Sequence, residues 1–599
     1  MWYCVVVLQY GVVRKEGGHN MFLKQTPQPN GRVKLAIYES YRDGRRTRQR
    51  TVRPLGFLDE LEREHDDPVA WGKSVAAEMT EAKRAAEQSV PIEIHPAQKI
   101  DKRSENVKNV GCAVALSQYA ALGVGNALRS ASRSSRAEYS LDAVCRLLVC
   151  ERIVEPGSKL SAWSNRGRYF FRCDFSDDDV YRALDGIAAA RDVVMSAMNR
   201  SIARAGIRDL SCVYYDVTNY YFEVDGEDGL RMRGVSKEHR PDPIVQMGLL
   251  QDASGIPIAY RKFPGNTADC ATMIPVLADM KRDHGLERVV AVADKGLNCS
   301  GNIAAAAASG DGFVFSQSVR GTKSDKALKA WVISDEGYAC KTEDGRRFKS
   351  KSKQGYKTVH LRAEDTASGK ARDERVEVKY VAFWSEKYER RARRDREKAI
   401  EKARRLVADP GAYTKATSHG AAQYVKNLAF DKETGEVVKG RKLELDLEAI
   451  AEAEKYDGYY LVVTSETGWS DGKVIDTYRE LWRIEESFKV TKSEIAARPV
   501  YVWTPEHIEA HFLTCYIALV ILRLLQLGSG LPCSRIREEI ASMTCINVDA
   551  NWWVCGHRTD DSDKLVESVG LEELKLKNLR TSDAKKILAR AAKGGLPHR

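Results

Sequence analysis

TYRELWRIEESFKVTK, residues 477–492, decides how this chain is read, because it sets a phenol, a carboxylate and an ammonium at intervals of seven. Two turns of α-helix take about 7.2 residues, so the spacing predicts Tyr478, Glu485 and Lys492 on one face of a helix. Leu481, Ile484 and Phe488 make an apolar stripe beside that face, leaving one side for packing and one for chemistry. Glu486 points about 100° away from Glu485, and only Glu485 keeps the register of seven.

Two aspartates upstream belong with it. In VYYDVTN, residues 213–219, β-branched and aromatic residues predict a strand whose alternation puts Tyr214, Asp216 and Thr218 on one face. In VVAVADKGL, residues 289–297, the apolar run reads as a buried parallel strand. Asp294 then stands at its carboxyl end, where open α/β sheets gather ligands. Two strand carboxylates and one helix carboxylate suit a pair of hard divalent cations such as Mg²⁺, which can align the attacking and leaving oxygens of a phosphoryl transfer. The chemistry implied is nuclease-like cleavage or transesterification.

With these motifs in this order, the chain resembles the DDE transposases of bacterial insertion sequences, in particular the group with a Tyr-Arg-Glu-Lys signature helix. YYDVT, SKEHRPDPIVQMGLLQDASGIPIAYRKFPGNTAD, VADKGL, YRELWRIEESFKVTK and HIEAHFLTCYIALVI follow one another over most of 206–310 and 456–525. The resemblance implies an α/β architecture with an RNase H-like mixed-sheet core. It implies Asp216, Asp294 and Glu485 as the metal-binding triad for two Mg²⁺ ions, with Mn²⁺ able to substitute. Tyr478 and Lys492 resemble contacts to phosphates of the element's end, and Lys237 and Arg240 fall in a loop like a DNA-contacting segment. The partners implied are the terminal inverted repeats, target DNA and a second subunit in a DNA-dependent homodimer. One departure stands out: the signature arginine, three residues after the tyrosine, is Leu481 here. On a straight helix Lys489 lies about 40° from Glu485 and about 20° from Tyr478, whereas Arg479 and Arg483 point about 120° and 160° away from Glu485. Lys489 is therefore the expected substitute cation.

Composition fits. At 599 residues the chain should hold several domains, and a formal charge of +11 suits a polyanion partner. The 13 cysteines form no CxxC pair, and Cys145, Cys150 and Cys515 fall in apolar stretches as free thiols would, which points to a reducing cytoplasm and, for this family, the nucleoid. Residues 512–527 are too short for a membrane span and carry Arg523. MWYCVVVLQYGVV lacks a basic n-region and a cleavage site, so it is not read as a signal peptide. The family-like start is MFLKQ, from Met21.

The expected organisation is a β-hairpin region and linker over 1–100; a helical, candidate DNA-binding domain over 101–205; the catalytic core in two parts, 206–318 and 456–527; and a C-terminal helical region over 528–599. Between the core parts a β-rich insertion spans 319–455, with strands at 330–333, 356–361 and 375–384 and a charged helix at 386–406. The turn at Asp43-Gly44 is crowded by Arg42, Arg45, Arg46, Arg48 and Arg50, either a phosphate grip or a solvated basic turn. ERRARRDREKAIEKARR, residues 389–405, is either an ion-paired solvated face or a DNA-backbone contact. His507 and His511 lie in HIEAH, which is not the zinc motif HExxH, and read as packing. Asp269 reads as a helix start, Asp252 as a hairpin turn, and Trp469 as a loop anchor before a base-stacking residue. Two other functions compete: a nuclease or resolvase that ignores inverted repeats, and a domesticated DNA-binding protein that no longer cuts. The intact triad argues against the second.

Overall fold

A computed structural model describes residues 21–43, 46–87, 105–133, 137–234, 242–320, 325–361, 363, 369–414, 417–418, 420–431, 436–438, 442–549 and 551–597. The chain divides into two compact units, 1–100 and 101–599.

The first unit is an antiparallel meander of β1 (Met21–Pro27), β2 (Val33–Asp43) and β3 (Arg46–Phe57), followed by a helix, Pro68–Glu87. Leu35, Ile37 and Glu39 alternate along β2 and are buried. The buried Glu39 carboxylate is held by Arg50 and Lys83, with Lys83 the first cause of its lowered pKa. Asp43 pairs with Arg46 across β2 and β3. Residues 44–45, and the side chains of Arg42 and Arg46, lie outside the described set.

The second unit contains β4 (Val107–Asn109), β5 (Val213–Tyr221), β6 (Ile244–Asp252), β7 (Pro257–Pro264), β8 (Val290–Ala293), β9 (Gly312–Ser316), β10 (Ala339–Glu343), β11 (Arg346–Leu361), β12 (Arg372–Ser385), β13 (Val425–Lys426), β14 (Glu444–Leu445), β15 (Tyr459–Thr464), β16 (Thr544–Asp549), β17 (Trp552–Cys555) and β18 (Asn578–Arg580). Nine of these form one mixed sheet in the order β10-β11-β12-β15-β9-β8-β5-β6-β7. β5, β6 and β7 are antiparallel neighbours, while β8 and β9 run parallel to β5. Alternation sorts the side chains: Tyr214, Val290 and Val292 pack on one face with Ile484, Phe488 and Phe512, and Tyr215, Ala291 and Ala293 pack on the other with Met273 and Ile303. Being covered on both faces is why VVAVA reads as an unbroken apolar run.

The helix Pro505–Ser529 forms the spine of the core on the Tyr214 face of the sheet. Thr504 caps it and Gly530, in the left-handed region, ends it. By length and composition it could cross a membrane, yet 94% of its most apolar window is buried inside the protein. Lys159, itself buried, places Nζ 2.9 Å from His511 Nδ1, and His511 Nε2 lies 2.9 Å from the Ala497 carbonyl. The ring donates to the carbonyl and accepts from the ammonium, so both histidines of HIEAH do structural work; His507 faces Asp185 at 3.3 Å. Burial, then Arg152, pushes Lys159 down to about 7 from 10.5. Below pH 7 both folded and unfolded states hold that proton and the burial penalty is fully present. As pH rises from about 7 towards 10.5 the folded state releases it first, so this group's contribution to stability improves with pH. In urea titrations, wild type should therefore gain stability relative to Lys159→Met over that window, and a constant difference would dismiss the shift.

Four expectations need correction. Residues 330–333 are not a strand but the end of the helix Lys326–Ile333, whose first turn is capped by Asp325; a short apolar run cannot be assigned by periodicity alone. The pieces at 356–361 and 375–384 lie inside β11 and β12, which do not form a sheet of their own but extend the core sheet beyond β15. The region 528–599 is not purely helical: β16, β17 and β18 join β4, more than 400 residues earlier in sequence, in a four-stranded sheet. Within it Cys545 and Cys555, directly opposite across β16 and β17, form a disulfide that cysteine spacing did not reveal. Cys145, Cys150 and Cys515 are buried free thiols.

Candidate active site

Asp216 lies in β5 and Asp294 just beyond the end of β8. The parallel register pairs Val213 with Ala291 and Tyr214 with Val292. Continued by two residues, it brings Asp216 level with Asp294, on the same sheet face as Tyr214 and Val292. The Glu485 helix, Trp482–Lys489, packs on that face through Ile484 and Phe488. Tyr214 Oη donates to the Thr477 carbonyl at 3.1 Å, which ties β5 to the residue before Tyr478. The Asp216 carboxylate also accepts from the Val217 N–H at 2.7 Å.

Asp294, Tyr478 and Glu485 line one cleft of about 630 Å³, closed on its far side by the charged helix Glu386–Ala408 through Tyr388, Arg391 and Arg396. Asp216 is not among its lining residues. Among the described residues, no group of three His, Cys, Asp or Glu side chains converges closely enough to hold a metal ion. The donor chemistry nonetheless suits a hard cation, since the cleft offers carboxylate oxygens rather than thiolates or imidazoles. Glu480 and Glu486, on either side of Glu485, are paired with Arg483 and Arg523. Among the described residues Glu485 and Asp294 have no ion-pair partner. Burial first, then the nearby Asp294, Tyr460 and Glu485, raises the Tyr478 pKa above its ordinary value, so the phenol stays a proton donor.

The segment is not the single straight helix that the spacing predicts. One helix, Asp471–Arg479, ends after Tyr478; a second carries Glu485; and Lys492 falls in a wide π turn, Val490–Glu494. Between the two helices the backbone tightens to three-residue turns, Leu481 N–H to Tyr478 O at 3.1 Å and Ile484 N–H to Leu481 O at 3.2 Å. The π turn then loosens it. Angles counted at 100° per residue do not hold across these joins: Tyr478 and Glu485 still line one cleft, and Lys492 does not join them. Lys492 Nζ sits 6.0 Å from the Tyr220 ring centroid and does not line the cleft. Lys489, four residues after Glu485 on one helix, is exposed. Leu481 is buried with Ile484 and Phe488, as the apolar stripe requires. Lys237 and Arg240 lie outside the described residues.

The two arginines set aside on angular grounds are committed elsewhere. Arg479 makes a bidentate pair with Glu343 of β10, at 2.8 and 2.9 Å. Arg483 pairs with Glu480 and donates to the Ala253 carbonyl at 2.9 Å. The other residues read as structural behave so: Asp252 is buried against Arg208 and accepts from Ile256 N–H, Asp269 opens a short 3-10 turn, and Trp469 is packed partly buried at the core's edge beneath Lys473. Sequence reasoning missed Lys295, Tyr388, Arg391 and Tyr460, all of which line the cleft. Lys295 had a signal, its place directly after Asp294. The other three come from strand β15 and the charged helix, and only the tertiary fold brings them there.

Residues 243–521 match the family model of the transposase DDE domain, a span that includes Asp294 and Glu485 and starts after Asp216. The chain is a DDE transposase, an enzyme that cleaves DNA with the help of divalent metal. Its insertion-sequence character is carried by residues 23–90, which match the N-terminal domain of IS1634 family transposases. A DDE domain has an RNase H-like fold, and the matched span holds β6, β7, β8 and β9 of the mixed sheet, with β5 just before it. No curated protein matches the chain.

Proposed function

We propose that the enzyme cuts its own insertion sequence at the terminal inverted repeats and joins the freed ends to target DNA, as a cytoplasmic, nucleoid-associated homodimer assembled on DNA. The observation that carries this reading is the pair of carboxylates, Asp294 and Glu485, that share a cleft with Tyr478 and, among the described residues, form no ion pair. Asp216, level with Asp294 on the neighbouring strand, is the third ligand in this proposal, and the site is of the Tyr-Arg-Glu-Lys kind with leucine at the arginine position. Two bound Mg²⁺ ions would supply charge neutralisation for in-line phosphoryl transfer. The three carboxylates would hold these ions, and with them the scissile phosphate. Water attacks phosphorus, the bond to the 3′ oxygen breaks, and the 3′ hydroxyl so released later attacks a target phosphodiester, breaking its bond to the target's 3′ oxygen and releasing that end as a hydroxyl. Tyr478, kept protonated, donates to a phosphate oxygen.

Footprinting and Mg²⁺-dependent nicking on duplexes that carry the element's ends test the proposal. Nicking at the repeat boundary supports it, whereas cleavage of any duplex without preference for the repeats would mark a general nuclease. Lys489 and Lys492 are the expected phosphate contacts outside the cleft. Each Lys→Ala change should reduce the salt slope of end binding by about one contact. Arg479→Ala and Arg483→Ala should leave that slope alone, because those side chains hold protein groups, whatever they do to stability. A slope change in the arginine variants and none in Lys489→Ala would return the missing charge to an arginine.

A further inference from the structure

The charged helix Glu386–Ala408 has two working sides. Tyr388, Arg391 and Arg396 face the active-site cleft. Lys387, Arg390, Arg393 and Arg394, with Arg346 from the start of β11, line a separate open groove of about 580 Å³. At 100° per residue the centres of the two sides are about 160° apart, so a phosphate held in the groove cannot be one held in the cleft.

The groove's lining is wholly cationic, and its acids are already used. Glu386 is 2.6 Å from Arg390, and Glu389 holds Arg393. Glu343, opposite Arg346 across the β10–β11 hairpin, is turned to Arg479. Arg346, Lys387 and Arg394 are exposed and, among the described residues, have no ion pair. Like charges gathered on one surface without counter-charges cost stability through self-repulsion, which a polyanion would relieve. Lys387, Arg390 and Arg394 follow the i, i+3, i+7 spacing of one helix side over about 10 Å, a length that meets about three successive phosphates of a strand at 3.4 Å rise each.

We infer that this groove binds the phosphate backbone of DNA lying outside the cleft, as a second contact that the catalytic carboxylates do not touch. The inference rests on the proposed function, since it needs a second stretch of duplex beside the one being cut. That stretch is either flanking DNA of the element or the target, and the chemistry of the contact is the same for both.

The test compares wild type, a groove variant (Arg346→Gln, Lys387→Gln, Arg394→Gln) and a control that removes three charges elsewhere on the same helix (Lys398→Gln, Lys402→Gln, Arg405→Gln). Binding is measured against salt on two probes, a long duplex carrying the element's end with its flank and a duplex of unrelated sequence as target. At about 0.9 per released contact, the groove variant should lose up to about 2.7 from the slope of log K against log salt. The control should lose clearly less, and cleavage of a short end duplex that reaches only the cleft should persist. A loss confined to the end probe assigns the groove to flanking DNA, and a loss on the unrelated duplex, with weaker strand transfer, assigns it to the target. A wild-type slope in the groove variant, or an equal loss in the control, overturns the inference. Wild-type protein that cleaves no end DNA overturns the proposed function as well, so the two failures are distinguishable. Thermal unfolding of both variants, whose substitutions are on exposed side chains apart from the half-buried Lys402, should match wild type.

Discussion

Asp294→Asn, Glu485→Gln and Asp216→Asn are each expected to lower strand cleavage by at least about 100-fold, the scale set by removing one group that stabilises transition-state charge, while end binding stays within a few-fold of wild type. The reasoning starts from charge. Each change keeps size and hydrogen-bonding shape but removes an anionic ligand, and a hard divalent cation prefers carboxylate oxygen to amide. Among the described residues Asp294 and Glu485 have no ion-pair partner to strand, so neither substitution should destabilise the fold. The three differ in one respect: Asp216 does not line the cleft and accepts from Val217 N–H, so Asp216→Asn is the most direct test of whether the third ligand swings in when metal binds. Single-turnover nicking in Mg²⁺, alongside filter binding, separates the outcomes. If Asp216→Asn cuts like wild type while the other two are dead, the site uses two carboxylates from this set and the third ligand lies elsewhere.

Much of this site could be read from the sequence because its parts are local. Asp294 follows five apolar residues that, ended by the turn-like Lys295-Gly296, read as a buried strand, and Leu481, Ile484 and Phe488 mark the buried side of the Glu485 segment whether or not the helix is continuous. What the spacing could not show was the break after Tyr478 and the π turn at Val490–Glu494, since the periodicity of a helix persists through small changes of pitch. The merging of β10, β11 and β12 with the core sheet was hidden for another reason. Strand pairing is a non-local choice, and the same alternating pattern serves a separate sheet or an extension of the core. β4 is the extreme case, three residues whose partner is more than 400 positions away. The cleft's aromatic wall and the basic groove depend on which way the charged helix is rolled, and a helix so rich in charge on every side does not reveal that beforehand.

Loss of the Arg523 side chain should destabilise the fold markedly. In sequence it interrupts the apolar run 512–527; in the structure it is 6% exposed and joins the spine helix to the Glu485 helix. Its guanidinium donates to Ser487 Oγ at 2.7 and 3.1 Å, to the Arg483 carbonyl at 3.0 Å and to Glu486 at 2.8 Å. Arg523→Met keeps the buried stem and removes every one of these bonds. The expected loss is about 3 kcal/mol, the low end for breaking a buried ionic network, because Glu486 is 28% exposed in its side chain and can be rehydrated. Glu486→Gln, which leaves the bonds to Ser487 and Arg483, should cost about 1 kcal/mol. Arg523→Lys should fail to restore stability, since an ammonium cannot address three acceptors in the fixed geometry of the fork. Cleavage should fall further than end binding in Arg523→Met, because the same bonds set the position of the helix that carries Glu485. Urea unfolding and nicking of end duplexes measure both effects. An Arg523→Met protein with wild-type stability and nicking would show that packing of Ile484 and Phe488 alone holds the Glu485 helix on the sheet.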